Sequence, residues 1–409
     1  MHDQAQPPQQ HPTEPRSSLL VWALSGAQLV SWGVLYYAFS LFVVPMENEL
    51  GWSRTTLNGA LSLGLLAAGA FAFPVGTWID RHGGRSIMAV GSLLGVVMLL
   101  AWSQVTDIVA FHAIWIGIGI AQAATLYEPA FVVLTRLYHQ SFRTKITMMT
   151  LVGGLASTVF IPLTQFLIDT LGWRHALVAL AAVVALACLP VHTFMLRDRD
   201  AGAPAPETAA PLLGRAAVAK AMRTPVFWGL MVCFIAYYAT FSALAFHLVP
   251  LLTDRDFAPA TIVGALAVIG PSQVAGRVLL LALGRRVRTT TVGRFVMFAF
   301  PASALLLIFV PQSLTAVIAF TVLYGVANGI MTIVRGTAVP DLLWREGYGA
   351  INGALSLPST IAKAASPFGA ALLWSWSGGY EAVLWAICAG GATAVAAFWF
   401  ATHMAARRR

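Results

Sequence analysis

The sequence predicts an all-α integral membrane protein with twelve transmembrane helices in two pseudo-symmetric six-helix bundles. Three observations carry this. Of the 409 residues, 58% are apolar and only 10% charged, with a mean hydropathy of +0.76. A soluble domain carries about 25% charged residues. The apolar residues gather in twelve runs, and a bilayer asks for roughly 20 apolar residues per crossing. The longest polar break falls after the sixth run and divides the chain into six plus six.

In chain order, residues 1–17 are polar and rich in Gln and Pro, and are expected to form a disordered cytoplasmic N-terminus. They lack the basic start and small-residue cleavage site of a signal peptide, so the first run is expected to stay as a membrane helix. The runs cover 19–45, 56–79, 86–105, 109–134, 146–169 and 174–195, then 226–251, 260–284, 291–310, 313–338, 348–374 and 380–402. Gly, Pro and charge clusters separate them. This gives an N-terminal bundle over 18–195, a cytoplasmic linker over 196–224, a C-terminal bundle over 225–402 and a basic cytoplasmic tail over 403–409. Gly119-Ile-Ala-Gln in run 4 recurs as Gly325-Val-Ala-Asn in run 10, an internal echo that fits duplication.

Orientation follows from lysine and arginine placement. Nineteen of the 25 fall in one set of loops and termini, and three, Arg54, Arg174 and Arg255, in the other. The richer side is read as cytoplasmic, with both termini on it, in a multi-pass protein of the cell membrane. The net charge of +9 is spread over these short loops, which argues against nucleic acid as a partner. Cys188, Cys233 and Cys388 lie inside apolar runs and read as small buried hydrophobes. No metal-ligand cluster, Gly-x-Ser-x-Gly or phosphate loop is present, so neither an enzyme nor a nucleotide-driven pump is expected, and no cofactor.

Between runs 2 and 3 stands Gly76-Thr77-Trp78-Ile79-Asp80-Arg81-His82-Gly83-Gly84-Arg85. Asp80 and Arg81 should end one helix, Gly83 and Gly84 make the turn, and Arg85 start the next. A carboxylate placed there among guanidinium groups can pair with a neighbouring helix end and release it when the helices move. The form Gly-x-x-x-Asp-Arg-x-Gly-Gly-Arg resembles the signature of the major facilitator superfamily of transporters. That resemblance implies two bundles rocking around a central site, with Gly76, Asp80, Arg81, Gly83, Gly84 and Arg85 forming a cytoplasmic gate.

Three basic residues are left inside the membrane: Arg277 in run 8, Arg335 in run 10 and Lys363 in run 11. Glu128 in run 4 is the clear intramembrane acid. A charge at the bilayer centre costs at least about 2.5–3.5 kcal/mol, so it faces a partner or a watery cavity. Lys363 lies about 22 Å into its run at 1.5 Å per residue, too deep to snorkel easily. Arg277 is about 10 Å from its run's end, where snorkelling competes with a cavity position. Arg335 sits a few residues from its run's end, which makes it an anchor or a partner for Glu128. Glu128 either neutralises an arginine or takes up protons. The excess of positive charge suits a small anionic substrate.

Arg277 in Ala-Gly-Arg and Lys363 in Ile-Ala-Lys-Ala-Ala resemble, by helix and depth, the substrate-binding pair of the monocarboxylate transporter and oxalate–formate antiporter branch. Glu49-Leu-Gly-Trp-Ser-Arg54 is similar to the same branch. The likeness implies transport of a monocarboxylate or dicarboxylate by alternating access, with Tyr36, Tyr127, Gln273, Tyr324 and Asn328 as pocket-shaping residues. Each of these five reads equally well as a helix–helix hydrogen bond or an interfacial aromatic. In the animal monocarboxylate carriers an aspartate precedes the helix 8 arginine by one turn, where this chain has Gln273, and a lysine stands in helix 1, where it has Tyr36 and Tyr37. Their Asp–Arg proton coupling therefore does not carry over. Efflux of a drug or amphipathic metabolite is the rival reading, and a non-transporting membrane sensor a more distant one. Function as a monomer is expected.

Overall fold

The structure is a computed structural model and describes residues 18–196, 213–283, 287–310 and 312–408. The N-terminal segment 1–17, most of the linker, residues 284–286, Pro311 and Arg409 lie outside the described residues. Among the described residues all regular structure is helical. Ten segments of the described residues are long and apolar enough to cross a membrane. One of them, Phe142–Met195, holds 54 residues and turns at Gly172, whose φ of 76° and ψ of 158° no helix contains, so it makes two crossings. Tyr348–Ser377, 30 residues long, runs beside two of the ten and is the twelfth.

The crossings are α1 (Leu19–Leu50), α2 (Arg54–His82), α3 (Arg85–Ser103), α4 (Ile108–Leu137), α5 (142–171) and α6 (173–195). After a surface helix, Arg215–Met222, come α7 (Pro225–Thr253), α8 (Pro259–Leu283), α9 (Thr289–Phe309), α10 (Leu314–Leu342), α11 (Tyr348–Ser377) and α12 (Tyr380–Ala406). Helix starts fall on side chains that answer the free N–H groups of a first turn. The Ser53 hydroxyl accepts from Thr56 N at 3.2 Å, Asp107 from Ala110 N at 2.8 Å, Thr224 from Phe227 N at 3.2 Å and Ser313 from Ala316 N at 3.3 Å.

Several helices outrun the apolar stretches that predict them. α1 continues through Glu47 and Glu49 to Leu50, α4 reaches Leu137, α5 begins at Phe142 and α10 reaches Leu342. Backbone hydrogen bonding carries a helix past the last apolar residue into the polar zone. Arg335 lies seven residues before the end of α10, and of its two expected readings, an anchor or a partner for Glu128, the structure shows the contact with Glu128.

Within the first bundle α3 packs on α4, α2 on α4, and α1 on α5; within the second α7 packs on α11 and α12, and α8 on α10. Between the bundles α2 lies along α11 and α5 along α8. The α2–α11 crossing has no room for a side chain: a Cβ on Gly76 would strike the Gly349 carbonyl, and one on Gly353 would lie 2.5 Å from the Ala72 carbonyl oxygen and the Phe73 Cα. An even number of crossings brings residues 18 and 408 to one face, called here the terminal face. The turn at Gly83 and Gly84 lies on it.

Candidate functional site

The central residues sit where helices break. In α1 the turn Gly33–Tyr37 is π-helical and widens the coil by one residue. Gly33 at its start faces helix α5, and a Cβ there would run into the Phe160 ring. The wide turn presents Tyr36 and Tyr37 side by side, their rings 5.2 Å apart, with Trp32 at 5.2 Å from Tyr36 and 5.0 Å from Tyr127. In α4 the helix stops at Thr125, Leu126 is extended, and a new helix starts at Tyr127. Glu128 and Pro129 occupy the first turn of that second helix, where a negative charge meets unpaired N–H groups and proline loses nothing. The break explains how an acid is tolerated at this depth.

Both breaks free backbone carbonyls, and two buried glutamines take them up. Gln28 Nε2 donates to Thr125 O at 2.6 Å, and Gln122 Nε2 donates to Leu35 O at 2.7 Å. These glutamines belong to the site's scaffold and were not among the expected site residues. Periodicity alone does not distinguish a glutamine that mends a broken turn from one that faces another helix.

The charges divide into an answered pair and two cations without a carboxylate. Glu128 forms an ion pair with Arg335 across the bundle interface. Ser356 on α11 joins them, donating to Glu128 Oε2 at 2.8 Å and accepting from Arg335 Nη2 at 3.0 Å. The Arg335 guanidinium also lies over the Tyr238 ring, 5.0 Å from its centroid. Lys363, half-buried on α11, donates to the Tyr36 hydroxyl at 3.3 Å and stands 5.3 Å from the Tyr36 ring centroid. Arg277 is only 4% exposed, and its Nε and one Nη have no hydrogen-bond partner. It reaches across to the Gly153–Gly154 break of α5, where a Cβ on Gly154 would occupy the guanidinium's place. Tyr37, Tyr127 and Tyr237 lie within its electrostatic reach. Neither Arg277 nor Lys363 has a carboxylate partner among the described residues.

The remaining expected residues are spread around this centre. Tyr127 stacks on Phe131 at 5.5 Å, and its hydroxyl fills the space left by Gly153. Asn328 Oδ1 accepts from the Tyr237 hydroxyl at 2.8 Å. Tyr324 stacks on Phe320 at 5.4 Å, and both it and Asn328 are buried within the second bundle. Gln273 is half-buried one turn before Arg277, its carbonyl against Gly329.

At the terminal face, α2 runs to His82, Gly83 follows with φ 84°, and α3 starts at Arg85. The Asp80 carboxylate accepts from Gly349 N at 3.0 Å and Ala350 N at 2.8 Å, capping the N-terminus of α11. Arg136 donates to the Ile79 carbonyl beside it, and Arg81 reaches the start of the surface helix at Gly214. A second tie, absent from the expected site, joins Arg143 at the start of α5 to Asp341 at the end of α10, with contacts of 2.5–3.1 Å. The polar contacts between the bundles thus run from Lys363 at mid-depth to the terminal face.

A family profile described as Major Facilitator Superfamily matches residues 24–310. Monocarboxylate transporter 13 of Rattus norvegicus is 26% identical over 383 residues, covering 88% of this chain and 83% of that protein. Among solved structures, the E. coli fucose:proton symporter FucP has a TM-score of 0.72 at 14% identity, over 96% of this chain and 100% of that one. The human organic anion transporter MFSD10 has a TM-score of 0.67 at 17% identity, over 97% of this chain and 100% of that one.

Proposed function

Since the chain belongs to the major facilitator superfamily and is a multi-pass secondary transporter rather than an enzyme, we propose that it carries a small organic anion. The observation that carries this reading is Arg277, buried at the bundle interface with two guanidinium nitrogens unanswered. Lys363 is the second cation, held by the Tyr36 hydroxyl rather than a carboxylate. A buried guanidinium left without hydrogen-bond partners is costly, and a substrate carboxylate supplies what the protein withholds. The names of similar proteins, a monocarboxylate transporter and an organic anion transporter, point the same way.

The terminal face is assigned to the cytoplasm by its lysine and arginine excess. Asp80 on α11 and Arg143 on Asp341 then form a closed cytoplasmic gate, and the substrate enters from outside. The shell of Trp32, Tyr36, Tyr37 and Tyr127 favours a carboxylate with an apolar or aromatic body. The same shell supports efflux of an amphipathic acid as the second reading.

Uptake of radiolabelled acetate, pyruvate, benzoate, oxalate and succinate into proteoliposomes, with and without a pH gradient, tests the proposal. Saturable uptake of at least one acid, lost in Arg277→Ala and Lys363→Ala, is expected. Unchanged uptake in both variants would move the efflux reading to first place.

A further inference from the structure

The second bundle carries a fixed cation on its outer wall that neither the central site nor the ties at the terminal face use. Arg294, five residues into α9, donates from Nε to the Thr402 hydroxyl of α12 at 2.7 Å. Its guanidinium lies over the Trp399 ring, 5.4 Å from the centroid, and the Trp399 indole N–H donates to the Arg294 carbonyl at 3.0 Å. Thr402 is buried, and its hydroxyl donates in turn to the Trp399 carbonyl at 2.9 Å. These contacts orient the guanidinium while engaging only one of its three nitrogens. Among the described residues, the two Nη groups have no hydrogen-bond partner and Arg294 forms no ion pair.

The place faces lipid. α9 packs on α10 and α12, and Phe295, Phe298 and Trp399 stand exposed beside Arg294. Phe295 and Phe298 meet the Trp399 ring edge-on, at 6.1 and 6.3 Å. α12 has 27 residues, about 40 Å of helix, which matches a bilayer with its headgroup layers. Thr402, four residues from its end, therefore stands about 6 Å below the terminal face, where headgroups meet acyl chains. An arginine and an amphipathic tryptophan are both at home at that level. The fork of a guanidinium matches the oxygens of a phosphate. Arg288, His403, Arg407 and Arg408 are exposed at the same end of the two helices. α9 has no acid, and α12 has only Glu381, at its far end.

We propose that Arg294 and Trp399 form a binding site for one anionic phospholipid. The lipid phosphate sits on the two free nitrogens of the Arg294 fork, and the acyl chains run along Phe295 and Phe298. The surrounding cations favour a headgroup of net negative charge over a zwitterionic one, whose ammonium they repel. Thr402 is a positioning residue: it holds Nε and so turns the other two nitrogens outward. Both helices belong to the second bundle, so the lipid travels with that bundle and need not be released as the carrier turns. The site is independent of the transported anion.

Native mass spectrometry of the detergent-purified full-length protein, titrated with phosphatidylglycerol, phosphatidylcholine or inorganic phosphate, counts the molecules bound and ranks their affinities. Unmodified protein should hold one phosphatidylglycerol about tenfold more tightly than phosphatidylcholine, and inorganic phosphate should not displace it. R294Q should weaken phosphatidylglycerol binding about tenfold, the loss of a charge-assisted hydrogen bond. R294K keeps the charge without the fork and should lose less. T402V leaves the charge in place but frees the fork to turn, and should also weaken binding. R408Q, which removes an exposed arginine of no fixed geometry, should change it little. Equal retention of phosphatidylglycerol by R294Q and unmodified protein overturns the proposal, as does equal affinity of unmodified protein for the two lipids. Displacement of the lipid by inorganic phosphate also overturns it, by reducing the site to a simple anion site. Should R294Q fail to insert, R294K and T402V carry the test, and unchanged lipid affinity in both overturns the proposal.

Discussion

At the scale of single residues, Arg277 and Lys363 differ in how much of their charge the protein already answers. Lys363 has the Tyr36 hydroxyl and ring, while Arg277 has buried nitrogens with no partner. Arg277 should therefore contribute more to anion affinity. Arg277→Ala is expected to cost about 2–5 kcal/mol of binding, and Arg277→Lys less, because the charge stays while the planar fork is lost. Lys363→Ala should weaken dicarboxylates more than monocarboxylates if the cations address separate carboxylates. Competition binding on purified protein decides both, and equal losses for the two acid classes would place both cations on one carboxylate. These cations were legible in the sequence because a lysine or arginine deep in an apolar run has few bland explanations. Arg335 read as an anchor or a partner for Glu128, and the ion pair with Glu128 is the contact it makes. Ser356 carried no signal at all: a serine in a membrane helix is ordinary until its neighbours across the interface are known.

At the scale of helices, the site depends on local failures of regular structure. The π-helical turn of α1, the break at Leu126 in α4 and the Gly153–Gly154 break in α5 converge on Tyr36, Tyr127 and Arg277. The irregular residue of α4 is Leu126, which no propensity rule would mark. Gly154→Ala should displace the Arg277 guanidinium and lower anion affinity about as much as Arg277→Lys, whereas Gly26→Ala, facing open space, should change nothing. Equal binding by both variants and the unmodified protein would separate Arg277 from the substrate. Gln28→Leu leaves the Thr125 carbonyl unanswered and should destabilise the fold by about 1–3 kcal/mol, seen as a lower melting temperature in detergent. The twelve crossings themselves were readable from hydropathy, and the turn at Gly83 from its motif, because both depend on composition over a short stretch.

At the scale of the whole molecule, alternating access requires that the contacts closing one face be few and separable. Two such contacts close the terminal face here, one on each side of the interface: Asp80 on the α11 N-terminus and Arg143 on Asp341. The contact of Asp80 with a neighbouring helix end was legible because its motif is short and local. The Arg143–Asp341 tie was not, because its halves lie in different bundles and neither is marked by a motif. Asp80→Asn keeps one acceptor oxygen but removes the charge that favours the helix N-terminus, and Asp341→Asn removes the partner of the Arg143 guanidinium. A hydrogen bond to a charged group contributes about 1.5–3 kcal/mol, so each substitution should raise the population open at this face by about ten- to a hundredfold. The two ties share no residue, so their effects should add in the double variant. A cysteine introduced at Val132, 2% exposed in the closed form, reports the opening through its rate of reaction with a water-soluble maleimide. Labelling should rise in each single variant and further in the double, while turnover falls and anion affinity stays within a few-fold, since neither tie touches Arg277 or Lys363. Labelling that rises for Asp80→Asn alone would make α2–α11 the whole gate and Arg143–Asp341 a surface ion pair. Labelling unchanged in all three would mean that the glycine crossing of α2 and α11, rather than any charge, holds this face shut.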